Sequence, residues 1–453
     1  MQDALNHLEQ NQQAFLDSLF DFLRIPSVSA QSEYHEEAHK AAEFVRARLV
    51  TAGFEAGLFE GNGLPTVYGK RIEDPSLPTL IVYGHYDVQP PEPLELWETP
   101  PFEPTIVGDG EIRARGCADD KGPTLAMILG AECLLKTRGK LAVNILWVIE
   151  GEEECGGPVV GEYLKKHAAD LKADALVIAD VSGLSADTPA LCYGLRGLTA
   201  MDVRLSGPAR DLHSGTYGGT VANPATAMAR LIATLHDDNG RVAVDGFYDG
   251  VAELDDQERA RNAALPFDEA KYLAETGSPS IFGEEGFTTL ERKGARPTCE
   301  INGLFSGYSG EGSKTIVPAE AGCKITCRLV PDQNPGEVFL AVERHLEEHC
   351  PPGVRMEIEQ GHQAAGVHAD PETTWAKAAR AALTFAFDKE AAVTREGGSI
   401  PIVNTFIETV GVQPLLLGTY TPGERAHSPN ERYFVKDFYR GIRTAIHLFG
   451  GGE

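Results

Sequence analysis

The stretch LPTLIVYGHYDV at residues 77–88 decides the fold, because an almost continuous apolar run ends there at chemically reactive side chains. Two later stretches have the same form, LAVNILWVIEGEEE at 141–154 and ADALVIAD at 173–180. The intervening segment KGPTLAMILGAECLLKTRG at 121–139 has the apolar spacing of a crossover helix. Buried strands separated by helices predict an α/β fold, with a mostly parallel sheet flanked by helices on both faces.

The length and the changes of pattern predict two domains. The chain has 453 residues, whereas single cores usually stop growing near ~250 to 300 residues. Residues 197–207 alternate like a half-exposed strand, and mixed strand and helix patterns continue to about residue 350, as in an α+β sandwich, although residues 240–300 are less regular. Helix and buried-strand patterns return at 371–387 and 414–420. We therefore expect one domain formed by 1–194 and 365–453, with 195–364 inserted as an α+β sandwich.

Composition excludes several classes of partner. Asp and Glu total 67 against 40 Lys and Arg, a formal charge of -27 that opposes binding to nucleic acid. The N-terminus lacks a signal-peptide pattern, and no run reaches the ~18 apolar residues of a membrane helix. Eight scattered cysteines without a CxxC pair are typical of reduced thiols. We expect a cytoplasmic protein with neither a nucleic-acid nor a membrane partner.

Metal-binding side chains follow all three apolar strands. Ligands of open parallel sheets bind at the carboxyl ends of the strands, so these side chains should share one edge. ARGCADDKG at 114–122 adds two aspartates just before the crossover helix. So many acids would repel one another unless a cation lay among them. The strand-end candidates are His85 and Asp87, Glu153 and Glu154, and Asp180.

The ligand types indicate the metal and its chemistry. Imidazole together with carboxylate suits zinc or manganese better than calcium, which prefers oxygen ligands alone. Two metals that share a carboxylate would use about five protein ligands and leave positions for water. The adjacent Glu153 and Glu154 could supply one metal ligand and one free carboxylate to accept a proton.

Seven motifs together resemble the co-catalytic zinc peptidases, which include carnosine dipeptidase, carboxypeptidase G, acetylornithine deacetylase and succinyl-diaminopimelate desuccinylase. The similarity is greatest to the branch of cytosolic nonspecific dipeptidase and carnosinase. It extends from the N-terminal helices nearly to the end of the sequence. The motifs are GHYDV (84–88), ARGCADDKG (114–122), EGEEECGG (150–157), the strand ending at Asp180, RDLHSGTYGG (210–219), REGGSIP (395–401) and GERAHSPNE (423–431).

The resemblance implies two divalent metal ions per subunit, Zn²⁺ or Mn²⁺, and a role for each matching residue. It also implies a cis peptide bond between Asp119 and Asp120. The implied metal ligands are Asp119, bridging both ions, His85 and Asp180 on one ion, and Glu154 and His427 on the other. The implied catalytic residues are Glu153 as general base and Asp87 as the group that orients His85.

The resemblance makes the inserted domain a lid and a dimerisation domain. His213 would reach across a homodimer and stabilise the oxyanion that develops in the partner's site. Arg328 would bind the carboxylate of the substrate together with the turn at Gly398 and Ser399. Asn223 is a further candidate for that pocket.

The function implied is hydrolysis of dipeptides with a free C-terminal carboxylate, by a water activated between the two metals. Asp180 in place of a glutamate matches the dipeptidase and aminopeptidase branch. An N-acyl amino acid deacylase would use the same dinuclear site and is the alternative. An inactive binding protein on the same fold is a third hypothesis. It is disfavoured because Asp119, Glu153, Glu154 and His427 are all present.

Overall fold

A computed structural model describes residues 1–452 of the chain. The helices are α1 Gln2–Leu23, α2 His35–Ala52, α3 Lys121–Arg138, α4 Val159–His167, α5 Ser214–Tyr217, α6 Pro224–Ile232, α7 Asp256–Ala264, α8 Glu269–Thr276, α9 Thr289–Ala295, α10 Pro335–His349, α11 Thr374–Phe387, α12 Ile402–Val410 and α13 Val435–Phe449. The strands are β1 Glu55–Phe59, β2 Thr66–Arg71, β3 Thr79–His85, β4 Thr105–Val107, β5 Glu111–Arg113, β6 Asn144–Glu150, β7 Ala175–Ser182, β8 Ala190–Leu195, β9 Gly197–Ser206, β10 Leu212–His213, β11 Thr298–Ser306, β12 Ile316–Val317, β13 Glu320–Leu329, β14 Arg355–Ala364, β15 Val367–His368, β16 Ala392–Glu396, β17 Pro414–Tyr420 and β18 Arg432–Phe434.

The chain divides into two compact units. The first unit comprises Met1–Tyr193, Ala369–Thr394 and the residues from Ile402 onward. The second unit comprises Gly194–His368 and Arg395–Pro401. The segment 395–401, which was expected in the first domain, lies in the second unit. This segment carries Gly398 and Ser399, so both belong to the same unit as Arg328.

The main sheet of the first unit has the strand order β1-β2-β6-β3-β7-β17-β8. The four central strands β6, β3, β7 and β17 run parallel, and the outer pairings are antiparallel. Every residue of β6 and all but the first of β3 are buried, which is why both read as continuous apolar runs. The predicted α/β class with a mostly parallel central sheet is confirmed.

Helix α3 is the predicted crossover helix between β3 and β6, and the first 14 of its 18 residues are buried. It ends at Gly139, which has a φ of 71° and so adopts the left-handed conformation that glycine tolerates at a helix end. At its start, the Nζ atom of Lys121 donates to the carbonyls of Phe22 and Ile25 at 3.2 and 2.6 Å. These carbonyls lie at the end of α1, where intrahelical donors run out.

The second unit has a core of its own around a four-stranded antiparallel sheet in the order β11-β13-β9-β14. In β9, Met201, Val203 and Leu205 are buried and alternate with more exposed residues. Helices α6 and α10 pack against this sheet. A two-stranded ribbon pairs β10 with β12, and three short helices, α7 to α9, occupy a segment that gave no clear pattern in the sequence.

Two expectations about the chain can be compared with the described residues. None of the helices in residues 1–452 is long and apolar enough to cross a membrane. Six of the eight cysteines are buried.

Candidate metal centre

The carboxyl ends of the parallel strands meet at one edge of the main sheet. Strand β3 ends at His85, and Asp180 is the sixth residue of β7. Strand β6 ends at Glu150, and Glu153 and Glu154 follow in a short 3-10 turn. Because β6, β3 and β7 are adjacent and parallel, this topology places the side chains beside one another.

The loop between β5 and α3 supplies Asp119. The peptide bond between Asp119 and Asp120 is cis, as predicted. The two aspartates differ in their contacts. Asp120 Oδ2 accepts from the backbone amide of His85 at 3.2 Å and from Thr124 Oγ1 at 2.7 Å, so it holds the loop against β3 and α3. Asp119 Oδ1 lies 3.1 Å from His85 Nε2.

The loop between β17 and β18 supplies His427. Arg425, His427 and Asn430 have φ values of 60°, 61° and 61°, so the loop turns through three left-handed residues that are not glycine. Such residues are uncommon and often occur at functional sites. His427 is 58% exposed at its side chain, so this side of the cluster faces solvent.

The donor atoms form two groups that share Asp119. His85, Asp119 and Asp180 have ligand atoms within 4.8 Å of one another, and so do Asp119, Glu154 and His427. His427 Nε2 lies 3.1 Å from Asp119 Oδ2 and 3.2 Å from Glu154 Oε2. His85 Nε2 lies 3.8 Å from Asp180 Oδ2.

These residues fit a pair of divalent cations. His85 Nε2 is buried and has no hydrogen-bond partner within the described chain, although it faces carboxylate oxygens. A buried polar atom without a partner is costly unless something else binds it. Each group combines one imidazole with two carboxylates, a set typical of zinc or manganese.

The carboxylates of the centre raise the pKa values of both histidines. Burial lowers the pKa of His85, but the carboxylates of Asp119 and Asp180 outweigh burial and raise it well above the usual value. Hydrogen bonds to Asp119 and then Glu154 raise the pKa of His427 to about 10. A metal ligand must be deprotonated, so cation binding at this centre would release protons.

Burial and repulsion from neighbouring acids raise the pKa values of two carboxyl groups in the centre. Burial, followed by Asp119, raises the pKa of Asp180 to about 6. Burial raises the pKa of Glu153 well above its usual value, and the charges of Asp180, Glu150 and Glu154 raise it further. Acids pushed toward their neutral form in this way are stabilised as carboxylates by nearby cations.

Asp87 is completely buried and holds three parts of the centre. Its Oδ1 atom lies 3.4 Å from His85 Nδ1 and accepts from the amide of Glu153 at 3.3 Å. Its Oδ2 atom accepts from the amide of Glu154 at 3.1 Å and from Ser29 Oγ at 2.6 Å. His85 Nδ1 also lies 3.1 Å from the carbonyl oxygen of Asp87.

Three consecutive glutamates at 152–154 leave the alignment ambiguous in sequence, and their contacts differ in the structure. Glu152 accepts from the amides of Leu64 at 3.1 Å and Val159 at 3.4 Å, so it links the loop before β2 to the start of α4. Glu154 lies within the second donor group. Glu153 lies between them in sequence, close enough to His85 and Asp180 for both charges to act on it.

Two residues of the centre, Gln89 and Glu431, were not predicted from the sequence. Gln89 Nε2 donates to Glu154 Oε2 at 2.7 Å and orients that carboxylate. Glu431 accepts from the amide of Asp119 at 3.2 Å. Gln89 follows GHYDV directly and Glu431 closes GERAHSPNE, so their positions beside the motifs were the available signal.

The remaining predicted residues lie in the second unit. Arg328 Nη1 donates to Ser399 Oγ at 2.8 Å, and Ser399 Oγ in turn donates to the carbonyl of Arg196. The backbone amide of Arg196 donates to the carbonyl of Gly398 at 3.1 Å. The structure thus brings Arg328 together with the Gly398–Ser399 turn, and Arg196 was not anticipated. Burial lowers the pKa of Arg328.

His213 and Asn223 lie elsewhere in that unit. His213 is exposed, and its Nδ1 atom accepts from the amide of Gly215 at 3.0 Å, which leaves Nε2 to act as a donor. The side-chain oxygen of Asn223 caps α6 by accepting from the amides of Ala225 and Thr226 at 2.9 and 3.4 Å. Only its amide nitrogen remains available for other contacts.

Two relatives are similar to the chain along nearly its whole length. The Cys-Gly metallodipeptidase DUG1 of Saccharomyces cerevisiae is 31% identical over 451 residues, covering 95% of this chain and 93% of the relative. The Beta-Ala-His dipeptidase of Homo sapiens is 30% identical over 469 residues, covering 99% of this chain and 92% of the relative.

Solved structures match as closely. The di-peptidase Dug1p from Saccharomyces cerevisiae has a TM-score of 0.87 at 30% identity, covering 100% of this chain and 98% of that chain. An M20 family metallo-carboxypeptidase from Sulfolobus solfataricus has a TM-score of 0.86 at 32% identity, covering 96% and 98%.

The model of peptidase family M20/M25/M40 matches residues 81–449. This range contains both donor groups and Glu153. The resemblance inferred from the motifs is therefore confirmed: the chain is a hydrolase that belongs to peptidase family M20/M25/M40.

Proposed function

We propose that the protein is a metal-dependent dipeptidase that hydrolyses the peptide bond of dipeptides with a free C-terminal carboxylate. The observation that carries the proposal is the pair of donor groups sharing Asp119, with Glu153 beside them. Relatives named as metallodipeptidases, at 30 and 31% identity, support the choice of substrate class.

Two divalent ions, Zn²⁺ or Mn²⁺, are the proposed cofactors. His85 and Asp180 would hold one ion, Glu154 and His427 the other, and Asp119 would bind both. When bound, the ions supply Lewis acidity toward the scissile carbonyl and lower the pKa of the attacking water.

Glu153 is the proposed general base and then the general acid. Its carboxylate accepts the proton of the water that attacks the carbonyl carbon, and it later donates that proton to the leaving amine. Asp87 keeps Glu153 in place by accepting from its backbone amide, and it also lies against the ring of His85.

Residues of the second unit are proposed to recognise the substrate. Arg328 would bind the substrate carboxylate, because a guanidinium offers two parallel donors to such a group. The Gly398–Ser399 turn holds Arg328 through its hydroxyl, and Asn223 could add its amide nitrogen. His213 would stabilise the oxyanion in the partner subunit of a homodimer. Eight scattered cysteines without a CxxC pair, six of them buried, support a reducing, cytoplasmic location.

A substrate panel tests the proposal directly. The purified protein, loaded with Mn²⁺ or Zn²⁺, would be offered dipeptides, their C-terminal amides and N-acyl amino acids, with product amines quantified. We expect cleavage of dipeptides and little cleavage of the amides. Cleavage of N-acyl amino acids alone would establish the deacylase alternative instead.

Replacing the general base should separate catalysis from metal binding. Glu153→Gln keeps the size of the side chain but cannot accept a proton, so we expect kcat to fall about 10²- to 10⁴-fold while both ions stay bound. Metal content by mass spectrometry and dipeptide turnover measure the two effects. Glu162→Gln, at an exposed position of α4, should change neither. Loss of an ion from Glu153→Gln would show that this residue is a ligand.

A further inference from the structure

We propose that Glu431 is a positioning residue that fixes the spacing of the metal ligands by fastening the His427 loop to the Asp119 loop. The inference rests on the proposed metal centre and concerns how its two separate loops are kept in register. Asp119 comes from the segment before α3, and His427 comes from the segment after β17.

The carboxylate of Glu431 accepts four hydrogen bonds from the Asp119 loop. Oε1 of Glu431 accepts from the amides of Ala118 at 2.9 Å and Asp119 at 3.2 Å. Oε2 accepts from the amide of Gly116 at 2.8 Å and from Arg115 Nη1 at 2.8 Å. Four donors converge on two oxygens, and one of these donors is the amide of the shared metal ligand itself.

Burial constrains the geometry of the ion pair between Glu431 and Arg115. The side chains of Glu431 and Arg115 are each 1% exposed. A buried charge that loses its partners carries a large desolvation cost, so neither loop can shift without breaking these bonds. His427 lies four residues before Glu431 and reaches 3.1 Å from Asp119 Oδ2, so the two loops meet at the ligands and again at Glu431.

The fold around Glu431 does not depend on its side chain alone. Strand β18 pairs with β5 through Arg432 and Arg113, and the amide of Ala114 donates to the carbonyl of Glu431 at 3.3 Å. On the other side of the loop, Asn430 donates to the carbonyl of Leu96 at 2.8 Å. A substitution at Glu431 should therefore leave the main-chain path in place and loosen the position of Asp119.

The test uses Co²⁺ as a probe, because its visible absorption reports ligand geometry without any substrate. Glu431→Gln presents an amide group where two oxygens were needed, and its NH₂ faces other donors. We expect its affinity for Co²⁺ to fall about 10- to 100-fold relative to the parent, with an altered absorption spectrum. Circular dichroism should remain that of a folded protein.

The matched control is Glu284→Gln in the second unit. Glu284 likewise has a buried carboxylate paired with an arginine, because it accepts from Arg296 Nε at 2.7 Å and from Arg296 Nη2 at 2.8 Å. Its substitution should lower thermal stability but leave Co²⁺ affinity and spectrum unchanged. A loss of Co²⁺ binding in this control equal to that in Glu431→Gln would overturn the inference, because general destabilisation would then explain both.

The outcomes separate this inference from the proposed function. If the parent binds no Co²⁺ at all, the metal centre fails and the inference fails with it. If the parent binds Co²⁺ and folded Glu431→Gln binds it with the same affinity and spectrum, the centre stands and the positioning role is wrong. If Glu431→Gln does not fold, Glu431→Asp decides: it keeps the charge but is one methylene shorter, and parental Co²⁺ binding by it would overturn the role.

Discussion

His345 on α10 is a titratable side chain whose surroundings favour its neutral form. It is 8% exposed, its Nε2 atom lies 2.9 Å from Thr234 Oγ1, and its ring stacks on His349 at 4.2 Å between centroids. Burial lowers the pKa of His345, the charge of His349 lowers it further, and the nearby Glu348 and Asp245 act in the opposite direction. The net pKa lies below the usual ~6.5 of histidine.

This shift predicts a pH dependence of stability. Between the lowered pKa and ~6.5 the unfolded chain binds more protons than the folded one, so the free energy of unfolding rises with pH through that range. Acidification from about pH 7.5 to about pH 5.5 should therefore destabilise the second unit, and His345→Gln should weaken that dependence. Thermal unfolding of both proteins across this range checks it. His362→Gln, at an exposed position of β14, should leave the dependence as it is, and an equal change there would contradict the assignment.

At the scale of single residues, strand ends could be predicted from sequence, whereas contacts between distant loops could not. His85 and Asp180 follow apolar runs, and the topology of parallel strands alone brings them to one edge. Glu431 contacts the Asp119 loop across more than 300 residues of sequence, and its motif gives no sign of which amides it binds. For Asn223 the local sequence predicts a helix cap, because Asn before Pro is typical of the start of a helix.

At the scale of elements, glycines at the contact between helices α3 and α13 leave no room for a larger side chain. A Cβ atom added to Gly130 of α3 would lie 2.3 Å from Ala445 Cβ and 2.9 Å from the carbonyl oxygen of Ile442, both on α13. On the facing side, a Cβ on Gly441 would lie 3.0 Å from Ala126 Cβ. The two helix backbones therefore approach each other where small residues meet.

Alanine substitutions at two helical glycines should have opposite effects. Gly130→Ala forces a methyl group into a filled interface and should destabilise the first unit by about 1 to 3 kcal/mol. Gly161→Ala in α4 meets no atom within 4 Å and should stabilise the unit by about 0.5 to 1 kcal/mol, because alanine is the better helix former. Urea unfolding followed by circular dichroism measures both. A Gly130→Ala variant that is as stable as the parent or more stable would mean that α3 and α13 do not pack this closely.

Element boundaries followed from local signals, but element partners did not. The sequence predicts α3 from its apolar spacing, and it predicts β3, β6 and β7 from their apolar runs. That α13 covers α3 depends on residues 300 positions apart, for which periodicity carries no information. The short helices α7 to α9 lack a strong apolar stripe, so that segment gave no usable pattern.

At the scale of the whole molecule, the proposed homodimer has a specific test, because His213 and Glu153 would serve the same site from different subunits. His213→Ala should lower kcat about 10²- to 10³-fold, as loss of an oxyanion donor does. Mixing it with Glu153→Gln and allowing subunits to exchange would form hybrid dimers. Each hybrid has one site with both residues intact.

The mixture should therefore recover about one quarter of the parental activity, since half of randomly assorted dimers are hybrids with one complete site of two. Dipeptide turnover before and after exchange measures this, and a mixture of Glu153→Gln with itself is the baseline. Activity that stays at the level of the separate variants would show that His213 acts within its own subunit or not at all.

The discontinuity of the first unit was predictable from the pattern of the whole chain, because buried helix and strand patterns return after the α+β segment. The assignment of 395–401 to the second unit was not predictable from that pattern. Its motif REGGSIP marks a turn but carries no signal for which unit the turn joins.

The place of β17 in the main sheet has a consequence for biosynthesis. This strand lies between β7 and β8, yet the ribosome makes it only after the entire Gly194–His368 segment. During translation the position beside β7 therefore stays unfilled until β17 is made. By then the antiparallel sheet β11-β13-β9-β14 is already complete in sequence and can fold first. His427 emerges later still, so a nascent chain cannot close the second donor group, and cation binding at that group would be one of the last events in maturation.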